Sequence, residues 1–273
     1  MRMLSPSWRK WVLPCALALA PGPLFAVDGV TLIDQNRVLA GNITAGDAPG
    51  FPVTISQPGM YRLSGNLTVP NANVTGVVIL SSAVTLDLNG FSIQGPVLCT
   101  SEPLACPSGG SGVGVVAGGE ALTSEPLQSV RVMNGNVHGM GRHGLLLTVA
   151  SSSVEHVTAY SNGGAGLLVN GKVEDCEASH NGERGIVAHV VRRSFATYNN
   201  GAGIVALDDG AMAKGNISTY NVESGVVVYQ GLAVQNVSMS NGGFGIEATC
   251  PSNLIDNTTL ANKGGSVSIA QTG

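Results

Sequence analysis

Residues 161–169 read SNGGAGLLV, and close copies follow: HNGERGIVA at 180–188, YNNGAGIVA at 198–206, YNVESGVVV at 220–228 and SNGGFGIEA at 240–248. Each copy joins a polar turn built around Asn to a short aliphatic run opened by Gly. Anchored on that glycine (Gly144, Gly166, Gly185, Gly203, Gly225, Gly245, Gly265), the intervals are 22, 19, 18, 22, 20 and 20 residues. A second apolar run, anchored on Val137, Val157, Cys176, Phe195, Ile217 and Val237, keeps the same period. Self-similarity at this spacing marks stacked units, none of which can bury its apolar face alone.

The period is too short for helical solenoids, whose repeats exceed about 30 residues. Each unit carries two runs of β-formers separated by Asn, Gly and Ser, and no window shows helical apolar spacing. The expectation is an all-β coil of short strands, each pairing in parallel with its successor about 4.8 Å away. On this reading Gly supplies positive-φ turns, and Asn162, Asn181, Asn199, Asn221 and Asn241 stack as an amide ladder. The sequons at Asn216, Asn236 and Asn257 share one register, which makes them a second ladder rather than glycosylation sites.

Composition agrees. Gly makes up 38 of 273 residues and aromatics only 4%, so the core must be layers of small aliphatics rather than large rings. Residues 1–26 read as a signal peptide: Arg2, Arg9 and Lys10, then the run WVLPCALALA, then a cleavage point after Ala26. The expected location is therefore periplasmic or secreted. The apolar run is too short to span a bilayer, so no stable membrane insertion is expected. Without the leader's three basic residues, 13 Lys and Arg become ten against 17 Asp and Glu, about −7 in net charge. That disfavours nucleic acid as a partner. Residues 27–50 read as an N-terminal cap and 51–273 as one repeat domain, interrupted by an excursion at 96–111. Within the excursion, CTSEPLAC predicts a Cys99–Cys106 disulfide in an oxidising compartment. Cys176 reads as a small buried hydrophobe at a strand position held elsewhere by Val or Ile.

GVVILSSAVTLDLNGFSIQG (76–95), followed by VRVMNGNVHGMGRHGLLL (130–147) and the Asn/Gly coils, resembles the right-handed parallel β-helix repeat proteins of the pectate-lyase-like superfamily. The resemblance covers roughly residues 50–270 and implies a single-stranded right-handed parallel β-helix of about nine or ten coils. That superfamily holds pectate lyases, polygalacturonases, alginate epimerases, tailspikes and adhesins, so it implies polysaccharide as the partner, with uronic-acid polymers favoured by analogy. The clustered aspartates of polygalacturonases and the DPHD-type signature of alginate epimerases are missing here. Asp208-Asp209-Gly210 reads as a turn.

Two outward stripes carry candidate chemistry. Glu155, Glu174 and Asp175 occupy matching places on adjacent coils, within about 5–10 Å of one another. Like charges that close repel, so the three are candidate catalytic residues and a candidate metal site, with Ca2+ the ion expected. Arg193 follows as a candidate catalytic group that neutralises a uronate carboxyl or takes its α-proton. The competing reading is a face of solvated acid–base pairs, each contributing about 0–1 kcal/mol. In the second stripe, Tyr160, His180 (one residue out of step), Tyr198 and Tyr220 set flat rings along the rod as candidate sugar-binding residues. The alternative there is cross-strand stacking alone. Three functions remain open: a polysaccharide-binding β-helix, a uronate lyase or epimerase, and a non-catalytic adhesin.

Overall fold

Each coil holds three strands, where the sequence showed two runs. The computed structural model of the protein describes residues 29–101, 104–106, 110–118 and 126–271; the leader expected over 1–26 lies outside them. The first sheet stacks Val53–Ile55, Val77–Ile79, Val115–Ala117, 145–147, 167–169, 186–188, Ile204–Ala206, Val226–Tyr229, Phe244–Thr249 and Gly265–Ala270. The second begins at Val30–Ile33 against Gly59–Leu63 and runs through Val84–Asp87, 130–133, 152–155, 171–174, 190–192, Met212–Lys214 and Leu232–Val234 to Asn253–Ile255. The third runs from Leu67–Thr68 to Thr258–Leu260. Every pairing between coils is parallel. The described residues complete nine coils of a right-handed β-helix, inside the expected range.

In-register pairing turns one residue per strand into a continuous column of core. On the first sheet Val77, Val115, Leu145, Leu167, Ile186, Ile204 and Val226 lie directly above one another, and all are fully buried. Along the third sheet the inward residue shrinks, from Ile93 and Val137 through Ala159, Ala178 and Ala196 to Ser218 and Ser238. The shrinkage makes room for the amides. Asn162, Asn181, Asn199, Asn221 and Asn241 each donate through Nδ2 to the Oδ1 of the next Asn at 2.9–3.0 Å, the ladder ending at Asn262. The second ladder links Asn216 to Asn236 and Asn236 to Asn257 at 2.9 Å. Asn216 and Asn236 are fully buried, so these sequons serve the interior.

The reason for the repeated glycine differs from the one expected. Gly166, Gly185, Gly203 and Gly225 do not have positive φ. A Cβ on Gly185 would stand 2.6 Å from the Gly203 oxygen, 2.7 Å from Asn199 Nδ2 and 3.1 Å from Ala196 Cβ. Glycine is required because the ladder leaves no space there. The left-handed position belongs to the residue before each Asn: Ser161, His180, Tyr198, Tyr220 and Ser240, at φ 53–56°.

Two further corrections concern register. Asn136, Thr158, Glu177, Phe195, Ile217, Val237 and Thr258 are mutual partners on the third sheet, so the anchors Val137, Val157 and Cys176 had each slipped by one residue. Cys176 is buried as expected, but not on a strand: its N–H donates to Ser194 Oγ, and the Ser194 N–H donates to Asn216 Oδ1. It heads the second ladder, and burial pushes its thiol pKa up to about 12, which leaves it unreactive.

At the N-terminal end, Asp34 caps the short helix Gln35–Ala40 by accepting from the Asn36 and Arg37 amides, and Val38 packs into the main core. Cys99 and Cys106 are bridged, as expected. The bridge lies against the corners of later coils, with Cys106 Sγ 3.5 Å from the His180 oxygen and Cys99 Sγ 4.0 Å from the Asn162 oxygen. Closing so short a loop stabilises by about 2–3 kcal/mol at most in the chain-entropy model. Reduction is therefore expected to expose residues around 96–111 to protease while the main unfolding transition moves by only a few degrees. A collapse of the whole β signal would show instead that the bridge holds the coil.

Candidate functional site

Inward residues of the second sheet, Val132, Val154, Val173, Val191 and Ala213, are buried, so the alternate positions face out. Glu155 and Glu174 are direct register partners, and Arg192 and Lys214 continue the row. The next residue of each coil turns the corner in the left-handed region: His156 at φ 53°, Asp175 at 53° and Arg193 at 45°. Parallel stacking thus brings the predicted Glu155, Glu174, Asp175 and Arg193 together.

Each of these carboxylates is engaged by cations. Arg193 donates from Nε to Asp175 Oδ1 at 2.9 Å and from Nη2 to Asp175 Oδ2 at 2.8 Å, and Nη2 also reaches Glu174 Oε1 at 2.7 Å. Lys172 Nζ lies 2.7 Å from Glu174 Oε2 and 3.7 Å from Glu155 Oε1, while Arg131 pairs with Glu155 from the other side. His156 Nε2 stands 4.0 Å from Asp175 Oδ2. The bonds move the titrations as expected for close pairs. Lys172 holds the Glu174 pKa below the carboxylate range, Arg193 does the same for Asp175, and the two acids raise the pKa of Arg193. Arg193 is therefore a fixed cation at neutral pH and no proton acceptor. Among the described residues, no group of three or more His, Cys, Asp or Glu is placed to hold a metal ion.

The aromatic stripe divides into two. His180, Tyr198 and Tyr220 share the left-handed corner position, with ring centroids 5.1 and 5.0 Å apart and planes 20° and 6° from parallel. Tyr160 is the residue out of step: it pairs with His138 on the strand and stacks on it at 4.5 Å. In both stacks the ring faces are turned to one another along the rod. Tyr198 and Tyr220 are 43% and 53% exposed. Elsewhere, buried His143 accepts the Ala165 N–H through Nδ1, and Asp208–Gly210 forms a turn.

Sequence reasoning missed two members of the basic side of this face, Arg131 and Lys172. Arg131, Lys172, Arg192, Arg193 and Lys214 stand on four of five successive coils of the second sheet and its corner, Arg192 and Arg193 sharing one, against the three carboxylates. The signal was present as a basic residue or pair recurring at the coil spacing with one coil skipped, in a chain that is acidic overall.

A family model described as "Right handed beta helix region" matches residues 123–273, just over half of the chain. Similar solved structures include the A-module of a mannuronan C-5 epimerase of Azotobacter vinelandii, at 13% identity and TM-score 0.46 over 84% of this chain and 74% of that one. A pectate lyase aligns at 14% identity and TM-score 0.46 over 89% and 78%. The Dettilon tailspike protein aligns at 11% and 0.42 over 81% and 60%. No curated protein sequence matches the chain. No helix among the described residues is long and apolar enough to cross a membrane.

Proposed function

The chain belongs to the right-handed β-helix family, and on that scaffold we propose that it is an exported protein that binds an acidic polysaccharide, a uronic-acid polymer, along its second sheet. The observation that supports this is the sign of the face: five cations against three carboxylates, on a protein with formal net charge −4. Cations recurring on four of five successive coils of one face suit a polymer carrying regular negative charge. Binding is the reading favoured over turnover, because the one candidate base, Arg193, is held as a cation by Asp175 and Glu174. A calcium ion on the same carboxylates would have to displace Lys172 and Arg193.

Calorimetric titration of the mature protein with polygalacturonate and alginate, with and without calcium, tests this. Binding should weaken as salt rises and vanish for a neutral glucan. The two readings of the ladder differ in the sign of one variant. Asp175→Asn removes a negative charge, so polyanion binding should hold or tighten; a metal or catalytic role would make it fall. Arg193→Ala should weaken binding severalfold while moving the melting temperature little, since exposed pairs contribute about 0–1 kcal/mol. Equal affinity for neutral and acidic polymers would overturn the proposal.

A further inference from the structure

Arg192 and Lys214 stand apart from the ladder. They are register partners on adjacent coils, and neither pairs with a carboxylate among the described residues. Arg192 Nη2 reaches only the Met212 sulfur, at 3.6 Å, and Arg192 Nε is buried with no hydrogen-bond partner. A buried guanidinium N–H without an acceptor is costly to keep. Both cations line a cavity of ≈ 410 Å³ whose other walls include Met212, Leu232, Val234 and Gln235.

The cavity exists because of a missing side chain. The corner row runs His156, Asp175, Arg193, Gly215, Gln235, and every one of these is left-handed. The other coils meet that backbone requirement with full side chains, so glycine is not needed for its φ. A Cβ on Gly215 would meet only Arg193 Cγ, at 3.9 Å. What glycine provides is a gap one coil wide between Arg193 and Gln235, with Arg192 and Lys214 beneath it.

We propose that this cavity binds a single carboxylate of a sugar acid. Arg192 and Lys214 take the carboxylate, the apolar wall of Met212, Leu232 and Val234 receives the C–H face of the pyranose, and Gln235 bonds a hydroxyl. The assignment rests on the polyanion reading above and fixes where on the face one acid group is recognised.

Trigalacturonate, its methyl ester and inorganic sulfate are the probes, titrated by calorimetry into the parent and the variants Arg192→Met, Lys214→Met and Gly215→Asn. Met keeps the apolar stem, and Asn tolerates the left-handed corner while filling the gap. The parent should bind the free acid and lose about tenfold or more on the ester. Each variant should lose a similar factor on the acid while melting like the parent. If the parent binds trigalacturonate and the three variants match it, this site is wrong and the polyanion reading stands. If the parent binds neither trigalacturonate nor polygalacturonate, both fall. Sulfate bound as tightly as the trisaccharide would reduce the cavity to an unspecific anion site and overturn the sugar assignment.

Discussion

Ile186→Asp is expected to abolish the folded state, whereas Val227→Asp, two coils further along the same sheet, should leave a folded protein. Both residues sit in aliphatic strands of the repeat, and from the sequence alone both read as core. The pairing separates them. Ile186 is fully buried between Leu167 and Ile204 in the main core column. A carboxylate there has no partner and must be neutral or unfold the coil, at a cost of several kcal/mol, within a total stability of about 5–15 kcal/mol. Val227 points the other way, into a small outer patch with Val187, Ala202 and Val205, beside a surface cavity lined by Glu223 and Glu247. An Asp there can turn to solvent and should cost about 1–3 kcal/mol. Soluble expression and circular dichroism of the two variants decide it. Loss of fold in both would mean that the outer patch is as closed as the core.

Why the two valine-type positions looked alike explains how much of the fold was legible. Period, parallel stacking and the Asn ladder follow from spacing, because a solenoid repeats its chemistry once per coil. Face does not follow where both faces are apolar. Residues such as Leu146, Val187 and Val205 are outward yet nearly covered, so the inside–outside alternation that normally reports a strand's orientation is absent on this sheet. Register failed for a related reason. Val137, Val157 and Phe195 are all apolar neighbours of one corner, and their type alone cannot say which of them face each other.

The candidate site was legible as a set of charges and not as their balance. Glu155, Glu174, Asp175 and Arg193 do meet, since equal spacing in a parallel coil forces adjacency. The sequence shows no contact partners, however, and Arg131 and Lys172 form the neighbouring outward column, two strand positions before the acids. Their ion pairs turn a cluster of repelling acids into an alternating ladder. Gly215 was equally silent: a glycine in a glycine-rich chain marks nothing until its coil neighbours are known to carry side chains.

The amide ladder supports the second large effect. Asn199→Ala should destabilise by about 3–6 kcal/mol, and Asn262→Ala, at the end of the same ladder, by only about 1–2 kcal/mol. The Asn199 Oδ1 accepts from both the backbone and the side chain of Asn181, at 3.1 and 2.9 Å, and its Nδ2 donates to the Ala178 oxygen and to Asn221 Oδ1 at 3.0 and 2.9 Å. All of this is fully buried. Alanine would leave two donors of Asn181 and the Ala178 oxygen without these partners, and Asn221 Oδ1 with only the backbone N–H of residue 199, where water cannot follow because Gly185 and Ala196 pack against the amide. Asn262 accepts the same pair of bonds from Asn241, but it is partly exposed, so solvent can replace what the substitution removes. Urea unfolding of the two variants would give the ratio. Equal losses would show that the ladder contributes through the number of its hydrogen bonds rather than through their burial, and the tight fit of the repeated glycines would then need another reason.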